Sequence, residues 1–232
     1  MTVHYLLHGY NTTGGTSFVT ASISPNAARR TLLVLQTLPD NPAVVPTISG
    51  ARATWTRKVT SPDPLGTADP KFYVFYGTGA ATAEAVTVNF GSGNDQLAIN
   101  YWFVDLEGYT TDPVVQAVFA TSTGGGSPAS ATLAAFASGS NHTFAIGYVS
   151  DTDSILAAGS GFTALQPAPV NGWYDAGLLH SQWVAAADTS VDFSWTVVSA
   201  NDWDIIAFEL AVAGGSPVAP KASNHYRQRR AA

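Results

Sequence analysis

Three pairs of carboxylates stand two residues apart in this chain: Asp105 with Glu107 in FVDLEG, Asp151 with Asp153 in SDTDS, and Asp202 with Asp204 in NDWDI. On a strand alternate side chains share a face, so each pair would project together. Paired acids suit calcium ligation or acid–base catalysis. Calcium takes about six to eight oxygens, more than one turn with two carboxylates supplies. Glycoside hydrolysis needs two acids facing one another across a cleft, and nothing in the sequence opposes one pair to another. The pairs therefore read as solvated strand ends or turns. Residues 91–99, GSGNDQLAI, come closest to a metal motif, with Gly91, Gly93, Asp95 and Leu97 falling where the calcium-binding nonapeptide G-G-x-G-x-D-x-U-x has its residues. That repeat works by stacking successive turns; here Phe90 stands at the first glycine position and no second copy follows.

Histidines and aromatics offer less. Of the five histidines only His4 and His8 are close in sequence. Such a pair chelates a metal where a helix brings both rings to one face, whereas Tyr5, Leu6 and Leu7 between them read as a short strand. Trp195 falls on the apolar side of an alternating run, and Trp102 and Trp203 fit core packing. Trp173 and Tyr174, in GWYDAG between loop signals, are the residues placed to form an exposed platform for stacking on a sugar ring. Nucleophile elbows, phosphate loops, zinc-protease motifs and dinucleotide fingerprints are absent. No catalytic residue, metal ligand or cofactor is therefore assigned, and an enzyme is not expected.

Strands are what must position these residues. Short alternating runs separated by Gly, Pro, Asn and Asp recur, and helical periodicity is scarce. In AVTVNF, Val86, Val88 and Phe90 share one side while Thr87 and Asn89 share the other; VDFSWTVV repeats the device with Val191, Phe193, Trp195 and Val197. Further strands are expected at 17–24, 30–37, 53–60, 71–78, 96–106, 114–122, 131–136, 142–150 and 203–212. LLVL (32–35) and INYWFV (99–104) are continuous apolar runs, as central strands buried on both faces require. Residues 91–95 read as the turn of a hairpin pairing 86–90 with 97–106. The expected fold is all-β: a two-sheet antiparallel β-sandwich, jelly-roll-like, with an N-terminal arm over 1–16, the sandwich over 17–213 and a basic C-terminal arm over 214–232.

A chain of 232 residues, 46% hydrophobic, is long enough to bury a core without crosslinks, and it has no cysteine to make any. Its net charge of -6 is unevenly spread. Up to Lys71 there are six basic and three acidic residues; from Phe72 to Pro220 there are thirteen acidic residues and no Lys or Arg. The last twelve residues then carry Lys221, Arg227, Arg229 and Arg230. An acidic body excludes nucleic acid as the main ligand. The basic arm complements that body, so these four residues are the candidates for charge-assisted contacts with carboxylates on another subunit. No apolar run reaches the roughly 20 residues of a membrane-spanning helix. The start, MTVHYLLHGYNTTGG, lacks the basic and apolar regions of a signal peptide, so synthesis in the cytoplasm is expected.

Gly50, Trp55 and Thr56 mark a W-T strand after a glycine turn; Tyr73 and Gly79 precede Val86, Thr87 and Val88; Asp105 and Gly108 end the next strand, and WDIIAFEL (203–210) closes the series. Over about 17–212 this order of segments resembles a β-sandwich module of tailed-phage virion proteins, minor tail proteins in particular, which also occurs in some bacterial surface proteins. The resemblance implies a structural or adhesive role with no catalytic residues. The missing signal peptide favours the virion, with a component made in the host cytoplasm and partnered by copies of itself and other virion proteins, without nucleic acid or membrane. Capsid decoration of the phage head is the alternative placement. A carbohydrate-binding or adhesion module, touching a host surface glycan through Trp173 and Tyr174, is the alternative function.

Overall fold

The computed structural model describes residues 1–39, 44–60, 71–122, 129–149, 155–166, 170–171, 178–196 and 203–214. Their regular elements are all strands. The first half contributes β1 (Thr2–Asn11), β2 (Ser17–Ile23), β3 (Arg30–Pro39), β4 (Thr47–Ser49), β5 (Arg52–Thr60), β6 (Lys71–Ala81), β7 (Glu84–Asn89) and β8 (Gln96–Glu107). They build a first large sheet in the order β1-β8-β3-β6-β5 and a first small sheet, β2-β7-β4. The second half contributes β9 (Tyr109–Ser122), β10 (Ala129–Thr132), β11 (His142–Val149), β12 (Ile155–Ala158), β13 (Thr163–Ala164), β14 (Val170–Asn171), β15 (Leu178–Val184), β16 (Ser190–Thr196) and β17 (Trp203–Val212). These build a second large sheet, β13-β15-β11-β17-β9 with β14 also on β15, and a second small sheet, β10-β16-β12.

Three apolar cores stack the sheets into four layers. The two large sheets meet face to face, Leu32, Val34, Trp102 and Val104 packing against Phe144, Ile146, Ile206 and Phe208. The expected antiparallel sandwich is this pair. Each outer face is then covered by a small sheet: Leu33, Leu35, Tyr101 and Phe103 pack under Phe18, Val86 and Val88, and Ala145, Ile205 and Ala207 pack under Ala131, Val191 and Phe193. Four layers explain why LLVL and INYWFV show no alternation. As the middle strands of the first large sheet, β3 and β8 have apolar neighbours on both faces. β7 has one covered face, so Val86 and Val88 are buried while Asn89 is exposed.

Two expectations are corrected. Residues 86–90 and 97–106 do not form a hairpin: β7 pairs with β2 and β4 in the small sheet, and β8 with β1 and β3 in the large one. The apolar side of β7 and one face of β8 look into the same core from opposite layers, which neighbours in one sheet cannot do. Residues 91–95 are instead a corner, with Gly91 and Gly93 at φ 81° and 77°. Gly15 and Gln96 exchange two backbone hydrogen bonds, 3.0 and 2.9 Å, that clasp it to the β1–β2 corner. The segment expected as an N-terminal arm carries β1, the strand paired along β8 at the edge of the first large sheet. The basic arm beyond Gly214 lies outside the described residues.

Candidate functional site

Strand registers fix where the connections are rooted. In the first large sheet the end of β1 and the start of β8 meet at Asn11 opposite Ile99. Beside them Leu38 of β3 is opposite Ala98, and Lys71 of β6 is opposite Thr37. In the second large sheet Trp203, first in β17, is opposite both Ser122 and Val149, and Val149 is opposite Leu178. Gln36 Nε2 donates to Asp204 Oδ2 at 2.7 Å across the seam, so these ends of the two halves lie side by side. One end of the stack therefore roots the corners 12–16 and 90–95. It also roots the strand ends flanking 40–43, 61–70, 123–128, 150–154, 172–177 and 197–202, which are outside the described residues.

By sequence those six segments hold Asp40, Asp63, Asp69, Asp151, Asp153, Asp175 and Asp202 and no Lys or Arg, and Asp95 sits on the adjacent corner. Trp173 and Tyr174 belong to the segment between β14 and β15 and lie outside the described residues, as do Lys221, Arg227, Arg229 and Arg230. Tyr10, Val45 and Leu97, three large apolar side chains left exposed, are also at this end. At the opposite end Met1, Gly108 and Gly214 gather, since Met1 lies against Gly108 and the Ala213 N–H donates to Gly108 O at 2.9 Å.

Two interior carboxylates, Asp105 and Glu209, have structural employment. Asp105, 1% exposed, accepts from the Asn26 N–H and Thr31 Oγ1, each at 2.7 Å, with Arg52 Nη2 at 3.6 Å. Arg52 also donates to Thr31 Oγ1 and to the carbonyls of Asn26, Arg29 and Gly79. Glu209, fully buried, accepts from Gln116 Nε2, the Ala137 N–H and Asn141 Nδ2 at 2.6–2.8 Å. Both carboxylates tie a connection to the last strand of its half. Glu107, two residues from Asp105, is instead a surface acceptor for His4 and Arg29, which hold its carboxyl below the usual range. That pair is one internal clamp and one surface ion pair.

Among the described residues the histidines do not converge on a metal. A bulge between Tyr5 and Leu7 sets His4 opposite Asp105 and His8 opposite Trp102, residues on different faces of β8. Burial, with His180 nearby, pushes His8 down to about 4; burial likewise pushes His180 down to about 4. Tyr5 Oη meets His8 Nδ1 at 2.6 Å, and His180 stacks edge-on to Phe193. His142, beside Tyr109 Oη at 2.8 Å, is lowered by burial and then by the positive N-terminus. Among the described residues no three His, Asp or Glu side chains are grouped to hold a metal ion.

Sequence reasoning missed Gln36, Arg52, His180 and Glu209. Gln36 and Glu209 fall inside runs expected as strands and nothing more, His180 lies where no strand is expected, and Arg52 stands just before the strand expected at 53–60. Arg52 alone carries a local signal, standing two residues after the turn glycine Gly50. No protein-family model, curated protein or solved structure matches the chain.

Proposed function

We propose that this chain is a non-enzymatic structural component of a tailed-phage virion, a minor tail or surface protein that assembles with other virion proteins through its arms and loops. What supports this reading is the charge distribution along the sequence. Asp-rich connections without Lys or Arg are rooted at one end, while the segment bearing Lys221, Arg227, Arg229 and Arg230 follows Gly214 at the other. Guanidinium groups and carboxylates make charge-assisted, often bidentate hydrogen bonds, so a basic arm and Asp-rich connections suit contacts between subunits. The four-layer stack supports the reading because its buried cores leave the connections to make contacts. The order of segments that resembles the virion module supports the particle context. The same contacts would serve a capsid decoration protein of the phage head.

Particle assembly with the chain truncated after Gly215 tests this. Lost incorporation is expected; unchanged incorporation overturns the reading. Adhesion is the second reading, favoured by Trp173 and Tyr174 falling in sequence between β14 and β15, whose flanking ends lie at the end where Tyr10 and Leu97 are exposed. Glycan-array binding that is abolished by Trp173→Ala would establish it.

A further inference from the structure

The two halves of the chain have the same strand order. Read from the β9 edge, the second large sheet runs β9-β17-β11-β15-β13 and its small sheet β10-β16-β12; the first half runs β1-β8-β3-β6-β5 and β2-β7-β4. Writing β9–β13 for β1–β5 and β15–β17 for β6–β8 turns one into the other, with β14 the one addition. Strands consecutive in a chain usually pair, yet among the described residues only β5–β6 and β14–β15 do so. Local hairpin preference therefore does not account for the agreement.

Registers and side chains agree as well. Thr31 is opposite Asp105 in the first half, and Thr143 is opposite Glu209 in the second. Both acids are buried on the last strand, and each accepts a backbone N–H from the connection after the second strand: Asn26 at 2.7 Å and Ala137 at 2.8 Å. Gln36 opposite Asn100 matches Tyr148 opposite Asp204, and Gln36, Asn100 and Asp204 make polar contacts at the seam. A glycine at φ 80° follows the last strand each time, Gly108 and Gly214. In sequence, Thr-Gly-Gly follows each first strand (13–15 and 123–125), and Asn-Asp precedes each last strand (94–95 and 201–202).

The halves meet back to back with reversed lateral order. β1 lies against β14 at one edge of the seam. At the other edge Phe72 of β6 meets Phe119 of β9, ring centroids 5.7 Å apart, and Lys58 of β5 meets Asp112 of β9 at 2.6 Å. A twofold axis parallel to the strands produces that arrangement. It also explains why both sets of connections emerge at one end.

We infer that the chain is a fused pair of one eight-stranded, jelly-roll-ordered unit, and that each large sheet presents at the seam an interaction surface whose partner is the equivalent face of a second copy of that unit. This is independent of the virion reading. Its consequence is that neither chain continuity at Gly108 nor the order of the halves is needed to form the four layers.

Two variants that retain every residue test this. In the first, a protease recognition sequence is inserted between Gly108 and Tyr109; after cleavage the halves should co-elute at the mass of the intact chain with an unchanged circular-dichroism spectrum. The second begins at Tyr109, runs to Ala232, passes through a flexible linker into Met1 and ends at Gly108. Met1 and Ala213 both adjoin Gly108, so this permuted chain should be monomeric and melt cooperatively within about 5 °C of the natural one. Halves that separate or precipitate after cleavage, or a permuted chain without a cooperative melt, overturn the inference.

Discussion

Gln36 and Asp204 join the halves of the molecule: Gln36 Nε2 donates to Asp204 Oδ2 at 2.7 Å, while Gln36 Oε1 accepts from Asn100 Nδ2 at 2.9 Å. All three residues are buried at the seam between the large sheets. An amide suits the position because it donates on one side and accepts on the other. Gln36→Leu removes both bonds and takes a donor from a buried carboxylate, so it should cost about 2–3 kcal/mol. Urea unfolding checks this through a lower midpoint at unchanged m. Gln36→Glu sets two carboxylates together and should cost more.

Asp105 and Arg52 make a second prediction, on the small-sheet side of the first half. Both side chains are almost completely buried and 3.6 Å apart. Asp105→Ala leaves the guanidinium buried without its counter-charge and frees the Asn26 N–H, so a loss of about 3–5 kcal/mol is expected. Arg52→Met in the same chain removes the stranded charge. The double variant should then be less destabilised than the two single losses added together, which a double-mutant cycle reads directly.

Legibility in the sequence followed the burial pattern. The one-sided strands β7 and β16 and the two-sided strands β3 and β8 were readable because their apolar residues mark which faces are covered. β15 was not readable: LLHSQWV buries His180, Ser181 and Gln182, so its polar residues conceal a strand in the middle of a sheet. The 91–95 corner was misread because a tight turn and a change of layer use the same glycines; what distinguishes them is the pairing of β7 with β2, about 70 residues away in sequence. The repeat was hidden for a related reason. Strand order is conserved between the halves while the buried acid is Asp105 in one and Glu209 in the other, clamped by different neighbours.

Gly50 gives a backbone prediction. It links β4 to β5 at φ 91°, and a Cβ there would stand 2.4 Å from the Ala85 carbonyl oxygen. Both the left-handed conformation and the close approach exclude a side chain. Gly50→Ala should lower stability by more than the roughly 1 kcal/mol of an ordinary conformational penalty, because β4 and β5 cannot both keep their places. Thermal melting checks it, with Gly93→Ala for comparison: Gly93 shares the positive φ but has open space around it, so its loss should be smaller.

His8 and His180 predict acid sensitivity. Both are pushed from 6.5 down to about 4, by burial foremost. His8 Nε2 and His180 Nδ1 have no hydrogen-bond partner among the described residues, and the backbone hydrogen bond at Ser181, which favours protonated His180, is outweighed by burial. Between pH 6.5 and about 4 the unfolded chain binds protons at these sites that the folded chain refuses. Stability therefore falls as pH drops through that window and, for these two residues, is level above and below it. The full window is worth about 3 kcal/mol per histidine. His142, lowered by burial and the positive N-terminus, acts in the same direction. Unfolding free energy measured from pH 7 to pH 4 should show this slope, and His8→Phe should reduce it. An unchanged slope in that variant would mean that His8 is not among the groups taking up protons.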